Sequence, residues 1–515
     1  GAKVLQLLYD RFCIVVLDLA GNKALLAVDR FASINLAYCQ HQGALAFATS
    51  LKALTAHPAL PHQVDPQAIY HYLYFHMIPG PGTIYRDQQR LQPGECLLWQ
   101  NGEIRLERYW QPVFEEHHSR PFDEQKARFV ELLQQGVKDA AAGAETGCFL
   151  SGGTDSSTIA GMLTRVTGKP ARTFSIGFEA EGYDEMEFAR LAVKQFGTQH
   201  TEYYVTPDDV VAGIPLIAAS ADQPFGNSSA VPGYFCALKA REAGIERMLG
   251  GDGGDELFGG NARYAKQKLF EHYLALPAWL RAGIEQGVER LPALGQVPLI
   301  QKGYRYIEQA RVPLPDRLES YNFFATHEPA QILHADLLAA IELDQPLKLL
   351  RDTYQAVTAD HALQRMLWLD WKQTLADNDL RKVSVMTQSA GIQVRYPMLD
   401  DALIDLALQL PPDWLLPGQK LRHFYKQAFS DFLPQQILTK PKHGFGLPFG
   451  VWMRDAPRLR ELAYDALASL KKRTVLRSDY LDQVVQLHQH DHAAYYGESI
   501  WIYMMLELWL QAWHD

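Results

Sequence analysis

Cysteine is scarce in this chain: five in 515 residues (Cys13, Cys39, Cys96, Cys148 and Cys236), far apart and without a C-x-x-C pair. That spacing excludes a disulfide framework and a zinc knuckle, and it fits a reducing compartment, the cytoplasm. Excess positive charge is also missing. Lys and Arg number 49 against 59 Asp and Glu, a net charge of −10, so no general attraction to nucleic acid or to an anionic membrane is expected. The most apolar stretch, Ile500 to Trp513, is interrupted by Glu507 and Gln511 and falls short of the roughly 20 residues a membrane-spanning helix needs, so it is expected to be a packed terminal helix. Internal repeats and low-complexity tracts are lacking as well, and no secretory leader is expected. The opening Gly1-Ala2 in place of methionine is read as an expression remnant or as the edge of a longer sequence. What remains is 47% hydrophobic and 21% charged, the balance of a folded globular chain long enough for more than one domain.

Residues 1–115 read as strands, at Phe12–Val16, Ala24–Val28, Leu45–Ala48 and Cys96–Trp99, broken by turn signals such as Ala20-Gly21-Asn22-Lys23, with one helix at Pro66 to Phe75. Gln111 to Arg120, with the adjacent His117 and His118, reads as a polar, solvated linker. From residue 119 to 515 the pattern changes. Helices alternate with apolar strands at Gly147–Leu150, Thr173–Phe178, Thr201–Val205 and Arg247–Leu249, and helices dominate after about residue 265. Such alternation implies a parallel sheet with right-handed crossovers.

The stretch FLSGGTDSSTIAGML carries the first chemical signal. The run Gly147–Leu150 fits a buried strand, while Ile159, Met162, Leu163 and Val166 recur at helical spacing, so the order is strand, loop, helix. Gly152 and Gly153 permit close backbone approach. Ser151, Thr154, Ser156 and Ser157 bring hydroxyls to a helix start, where roughly half a positive charge gathers. The loop is a phosphate site or, equally on composition, an ordinary strand-to-helix connection with a serine N-cap. Asp155 tips the choice, because an acid in a phosphate cradle repels its ligand unless a divalent cation lies between them; a magnesium nucleotide follows. The lysine of the G-x-x-x-x-G-K-[ST] loop is absent, which argues against γ-phosphoryl transfer. In an open parallel sheet the loops after successive strands share one site, which groups this loop with Glu179–Glu185 and with GGDGGDELFGG from Gly250. In the latter, Asp252 and Asp255 are placed to meet a ligand, and Asp255 with Asp155 to hold magnesium on pyrophosphate oxygens. The D-x-D-x-D-G-x₅-E spacing of a calcium loop is not present.

SGGTDSS resembles the pyrophosphate loop of ATP pyrophosphatases. TFSIGFE with YDE, DQPFGNSSAVP, GGDGGDELFGG, QVRYPMLDD and KPKHGFGLP, in that order over residues 145 to 455, resemble the synthetase blocks of the asparagine synthetase family, in particular its glutamine-hydrolysing type. The resemblance implies an α/β fold: a parallel-sheet ATP-pyrophosphatase (adenine nucleotide alpha hydrolase-like) domain over 119–515 with a helical C-terminal part, and a smaller, strand-rich Ntn-hydrolase-like amidotransferase domain over 1–115. It implies ATP and Mg2+, adenylation of a small-molecule or peptide carboxylate, and transfer of ammonia, glutamine-derived nitrogen or a substrate amine. A homodimer is compatible with it; nucleic acid and membrane partners are not expected. Carried over residue by residue, Ser151, Gly152, Gly153, Asp155 and Ser156 serve pyrophosphate, Leu150, Ile176 and Gly251 flank adenosine, and Asp155 and Asp255 hold the metal. Asp252 stands where the family has an acid that assists proton removal from the amine, and Lys442 matches a lysine that steadies charge on the acyl-phosphate. Asp222, Gln393 and Arg395 are candidates for the acyl-substrate side.

The sequence also departs from the family. The amidotransferase domain of that family starts with a nucleophilic cysteine whose own amine is the base. This sequence starts Gly-Ala-Lys, and only RFCIVVLD to DRFASINLAYC and ALAFATSLKAL resemble the later half of that domain, with Ala32 and Asn35 replacing Gly and Pro. Cys13 is expected in core packing, and no glutaminase is expected of the residues present. Gln393 replaces a glutamate, which puts free aspartate in doubt as substrate. His488, His490 and His492 have metal-like spacing but share a helix face only at i and i+4, so a solvated helix is expected there. Besides amide ligation, two readings stay open: lactam or macrolactam closure by the substrate's own amine, as in β-lactam and lasso-peptide cyclases, and a catalytically silent scaffold.

Overall fold

Strands β1 (Cys13–Asp18), β2 (Lys23–Val28), β3 (Ala37–His41), β4 (Ala44–Ala48), β5 (Gln88–Arg90), β6 (Glu95–Gln100) and β7 (Glu103–Arg108) form two antiparallel sheets, ordered β1-β2-β6-β7 and β4-β3-β5. This is a computed structural model, and it describes residues 2–115, 120–289, 298–441 and 446–515. Leu26 and Val28 of β2 and Leu97 of β6 are buried between the sheets because both strands are interior to their sheet. The edge strand β1 is different: Val16 and Leu17 are 53% and 55% exposed. Cys13, at its start, is half-buried against that same cluster, in line with the expected packing role. The Pro66–Phe75 helix forms where the sequence predicts it, with Asp65 capping the Gln67 N–H at 3.1 Å and Pro66 opening the first turn, where its missing N–H loses nothing.

The second sheet system is parallel throughout: β8 (Thr146–Phe149), β9 (Arg172–Phe178), β10 (Gln199–Val205), β11 (Arg247–Leu249) and β12 (Gln393–Arg395), in the spatial order β10-β9-β8-β11-β12. The chain adds strands on one side of β8 and then crosses to the other. The switch in direction therefore falls between β8 and β11, where Cys148 pairs with Leu249, and the loops leaving these two strands diverge around a crevice. Helices cover both faces.

The C-terminal Ala493–His514 helix is packed as expected, with Ile500, Trp501, Met504 and Trp509 buried. Glu507, which interrupts its apolar run, is fully buried and receives Arg473 Nε at 2.5 Å, Arg473 Nη2 at 3.1 Å and Gln511 Nε2 at 2.8 Å. This helix crosses the Phe449–Asp455 helix at Gly497 and Gly450, so closely that a Cβ on Gly450 would lie 2.9 Å from the Gly497 Cα. No helix among the described residues is long and apolar enough to cross a membrane.

Two local expectations are corrected. His488 is not on a solvated helix face: it is 1% exposed, with Nε2 2.8 Å from the Gly450 carbonyl oxygen and Nδ1 3.0 Å from the Tyr464 hydroxyl, because the helix crossing encloses it. Part of the expected linker is core. Phe114 is buried against Trp371, with ring centroids 6.0 Å apart, and the Glu115 N–H donates to Leu408 O at 2.9 Å; His117 and His118 lie outside the described residues.

Contacts between the early strands and the parallel-sheet region are polar as well as apolar. Arg90 and Asp377, each 4% exposed, form an ion pair of 3.0 Å. Asp222 Oδ2 accepts the Leu51 N–H at 2.9 Å, and the Gly226 N–H donates to His76 O at 2.8 Å.

Candidate active site

A cavity of about 410 Å³ opens at the β8/β11 switch. One wall comes from the strands, with Phe149, Phe174 and Ile176, and is extended by Pro232 and Met386. The remainder is polar, with Asp155, Asp252, Asp255, Glu256, Asp379 and Lys382 among its lining. An apolar wall joined to a mostly acidic floor is a lining suited to a small molecule that carries a flat ring and anionic groups screened by a cation.

The loop after β8 leads into the Thr154–Thr167 helix. The sequence suggests a serine N-cap, but the cap is Gly153, and no side chain accepts from the first-turn N–H groups. The hydroxyls turn instead to the loop itself. Ser156 Oγ accepts the Ser151 N–H at 3.1 Å and lies 3.0 Å from Ser151 Oγ, which fixes the bend and leaves the positive end of the helix aimed beyond Ser151.

Beyond β11, Gly251 passes so near this helix that a Cβ on it would lie 2.9 Å from both Asp155 Cβ and Ser156 N. Glycine there is what lets the two loops touch. Asp155 and Asp255 arrive on one guanidinium: Arg422 Nη1 lies 2.9 Å from Asp155 Oδ2 and 3.1 Å from Asp255 Oδ1, and Nη2 also pairs with Asp155 Oδ1. The short Gly254–Phe258 helix is held from behind by Trp371, whose indole N–H donates to Glu256 O at 2.8 Å.

Asp252 faces the cavity beside Gly250, Tyr396 and the pair Asp379–Lys382, in which Lys382 Nζ donates to Asp379 Oδ1 at 2.8 Å. Burial pushes the Asp252 carboxyl up to about 6; the Asp379 charge adds to the shift and Lys382 opposes it. Burial also acts against the Lys382 ammonium, yet Asp379 and Asp252 hold it protonated beyond the ordinary lysine range. The one cysteine among the cavity residues, Cys236, has its thiol raised to about 12 by burial, so it is no nucleophile at neutral pH.

Of the residues singled out from sequence, Leu150, Ser151, Asp155, Ser156, Ile176, Gly251, Asp252 and Asp255 line this one cavity. Gly152 and Gly153 shape the bend without lining it. Asp222 does not line it either, since its carboxylate is spent on the Leu51 N–H. Gln393 and Arg395 also stand outside the lining: Gln393 Oε1 accepts from Arg247 Nη2 at 3.3 Å at the amino end of the strands, and Arg395 Nη1 lies 3.9 Å from Asp10 Oδ2. Lys442 lies outside the described residues. The acidic segment after β9 is not part of the cavity lining, although Phe174 and Ile176 of β9 are; Glu185 turns to Lys440 at 3.1 Å. Sequence reasoning missed Asp379, Lys382 and Arg422. The first two sit at the end of the π-helical turn Trp371–Asp379 and the start of the helix Leu380–Ser389, where DNDLRK reads as an ordinary charged surface run.

Comparison with known proteins gives this geometry its family. The pattern for asparagine synthase matches residues 128–514, and that for a glutamine amidotransferase domain matches residues 1–110. The chain belongs to the asparagine synthase family. Asparagine synthase family members are ATP-dependent carbon–nitrogen ligases, and this chain is one of that class. It is 23% identical to asparagine synthetase (glutamine-hydrolyzing) 1 of Bacillus subtilis over 87% of this chain and 69% of that protein. It is 27% identical to a putative asparagine synthetase (glutamine-hydrolyzing) of Mycobacterium bovis over 99% of this chain and 77% of that one. A solved NMN synthetase from Francisella tularensis matches 27% of this chain and 58% of its own, at 17% identity and a TM-score of 0.20, too slight a likeness to argue from.

Proposed function

We propose that this chain joins the carboxyl group of a small molecule or peptide to ammonia or an amine, through an acyl-adenylate made in the β8/β11 cavity. A carboxylate is a poor electrophile. Its oxygen attacks the α-phosphorus of ATP, the bond to the β-phosphate oxygen breaks, and pyrophosphate leaves. The amine nitrogen then attacks the acyl carbon, AMP departs with the C–O bond electrons, and one proton is lost from nitrogen. The observation that carries this reading is the meeting of the Ser151–Ser156 bend, Asp155, Asp252 and Asp255 on one cavity, from loops on two neighbouring strands.

The chain's own groups divide the work. The backbone at Leu150, Ile176 and Gly251 flanks the adenosine, next to the apolar wall. Ser151, Ser156 and the uncapped helix start receive the pyrophosphate. Magnesium takes one or two carboxylates together with substrate phosphates, a donor set that Asp155 and Asp255 fit. Among the described residues no group of three or more acidic, histidine or cysteine side chains makes a self-sufficient metal cage. When bound, magnesium supplies neutralisation of the pyrophosphate charge. Asp252, with its raised pKa, accepts the amine proton, and Lys442, by family resemblance, steadies charge on the acyl-phosphate. The organisation that fits is an amidotransferase-like part over 1–115 and a synthetase part over 119–515.

Exchange of labelled pyrophosphate into ATP, measured against a panel of carboxylic acids that includes aspartate, tests the proposal. A carboxylate-dependent signal, lost in Asp155→Ala with the circular dichroism unchanged, is expected. Exchange retained in that variant would remove the mechanism. Mass spectrometry of the product separates amidation from lactam closure: the first adds nitrogen, the second only removes water.

A further inference from the structure

Arg422 answers to nothing in the sequence motifs, yet it stands where the site's charge is decided. It opens the short His423–Ala428 helix with a left-handed φ of 56°, rare for a residue with a side chain, and its N–H donates to Gly259 O at 3.2 Å. Its side chain is 7% exposed and lies over the Tyr425 ring, 4.2 Å from the centroid. Space has been cleared for it: a Cβ on Gly260 would come within 2.7 Å of Arg422 Cδ, and one on Gly254 within 2.8 Å of Nη2. Burial acts against its charge, but Asp155 and Asp255 more than offset this and keep it protonated.

Building on the proposed ATP reading, we propose that Arg422 is a positioning residue that makes the site accept a divalent cation only when the cation arrives on pyrophosphate or a nucleotide. The guanidinium already occupies oxygens of both carboxylates and sets a positive charge beside them. A free metal ion meets a competitor for those oxygens and a like charge beside them. A metal–pyrophosphate complex brings anionic oxygens that the same guanidinium attracts, so metal and pyrophosphate strengthen each other's binding. This differs from the role given to Asp155 and Asp255, which touch the metal; Arg422 sets which form of the metal they take. It also keeps the two loops in register before ligand arrives, since one planar fork ties a residue after β8 to a residue after β11.

The test uses Mn2+ as probe, by calorimetry and by the loss of its free-ion electron paramagnetic resonance signal. With the unaltered chain, the preformed Mn2+–pyrophosphate complex is expected to bind at least about tenfold more tightly than Mn2+ alone. In Arg422→Gln, Mn2+ alone is expected to tighten by about tenfold while the pyrophosphate complex weakens, and Arg422→Lys, which keeps the charge, is expected to restore most of the discrimination. Mn2+ binding to the unaltered chain equally well with and without pyrophosphate overturns the inference but not the ATP reading. Binding of neither overturns both. Should Arg422→Gln fail to fold by circular dichroism, Arg422→Met, judged by the same comparison, takes its place.

Discussion

Lys382 Nζ stands 2.8 Å from Asp379 Oδ1, and the two charges of this pair act in opposite senses on Asp252, Asp379 raising its carboxyl and Lys382 lowering it. Burial does most to set the pH at which Asp252 becomes a base, and the pair adjusts it. With the carboxyl near 6, amide formation at saturating substrate is expected to rise with pH through about 6. Lys382→Met removes the opposing charge and moves that limb to higher pH. A profile flat from pH 5 to 8 would exclude Asp252 as the base.

The same carboxyl makes a statement about stability. Its folded pKa is above the ordinary 3.8, so its contribution is fully present below about pH 4 and is lost as the pH rises through about 6. Asp252→Asn is expected to melt higher than the unaltered chain at pH 7.5 and to lose that advantage at low pH, measured by thermal denaturation across this window. An advantage independent of pH would assign the effect to packing.

Ser156→Ala removes the hydroxyl that accepts the Ser151 N–H and meets Ser151 Oγ. Pyrophosphate exchange is expected to fall by about 10²-fold, by analogy with removal of one donor from an anion-stabilising site. The circular dichroism is expected to stay unchanged, since Ser156 lies in the first turn of the Thr154–Thr167 helix and alanine keeps that turn.

Lys442→Ala is expected to lower exchange by about 10²–10³-fold while calorimetry still detects ATP, because a charge acting on the acyl-phosphate matters most in the transition state. Equal loss of ATP affinity would make Lys442 a ground-state binder instead.

Arg473→Met takes away the main partner of the fully buried Glu507 and leaves Gln511 to serve it. A loss of about 3–5 kcal/mol is expected from denaturant unfolding. Adding Glu507→Gln is expected to recover part of it, as an unpaired buried charge is what the single change creates.

Much of the site was legible because its signals are local. The run ending at Leu150 and the helical spacing from Ile159 place a bend between them, and the glycine-rich stretch GGDGGDELFGG after a strand supplies Asp252 and Asp255. Parallel neighbours then bring the bends together, a step that needs only the order of β8 and β11. Strands β3, β5 and β7 were not legible, because Ala37–His41, Gln88–Arg90 and Glu103–Arg108 are short or carry polar residues on the apolar period. Arg422 and Asp155 are 267 positions apart, and no periodicity encodes such a meeting. His488 reads as solvated for the same reason: its partner, Gly450, lies on another element.

The segment from Asp222 to Ser229 has consequences beyond its own hydrogen bonds. Its first residue is moored to Leu51, its middle to His76, and its last borders the β8/β11 cavity. One side of the binding chamber thus hangs from the strand-rich half of the molecule like a curtain from a rail. Excising residues 1–115 as a spare module would unhook it, so the remainder expressed alone should keep Asp155, Asp252 and Asp255 but not a finished cavity wall.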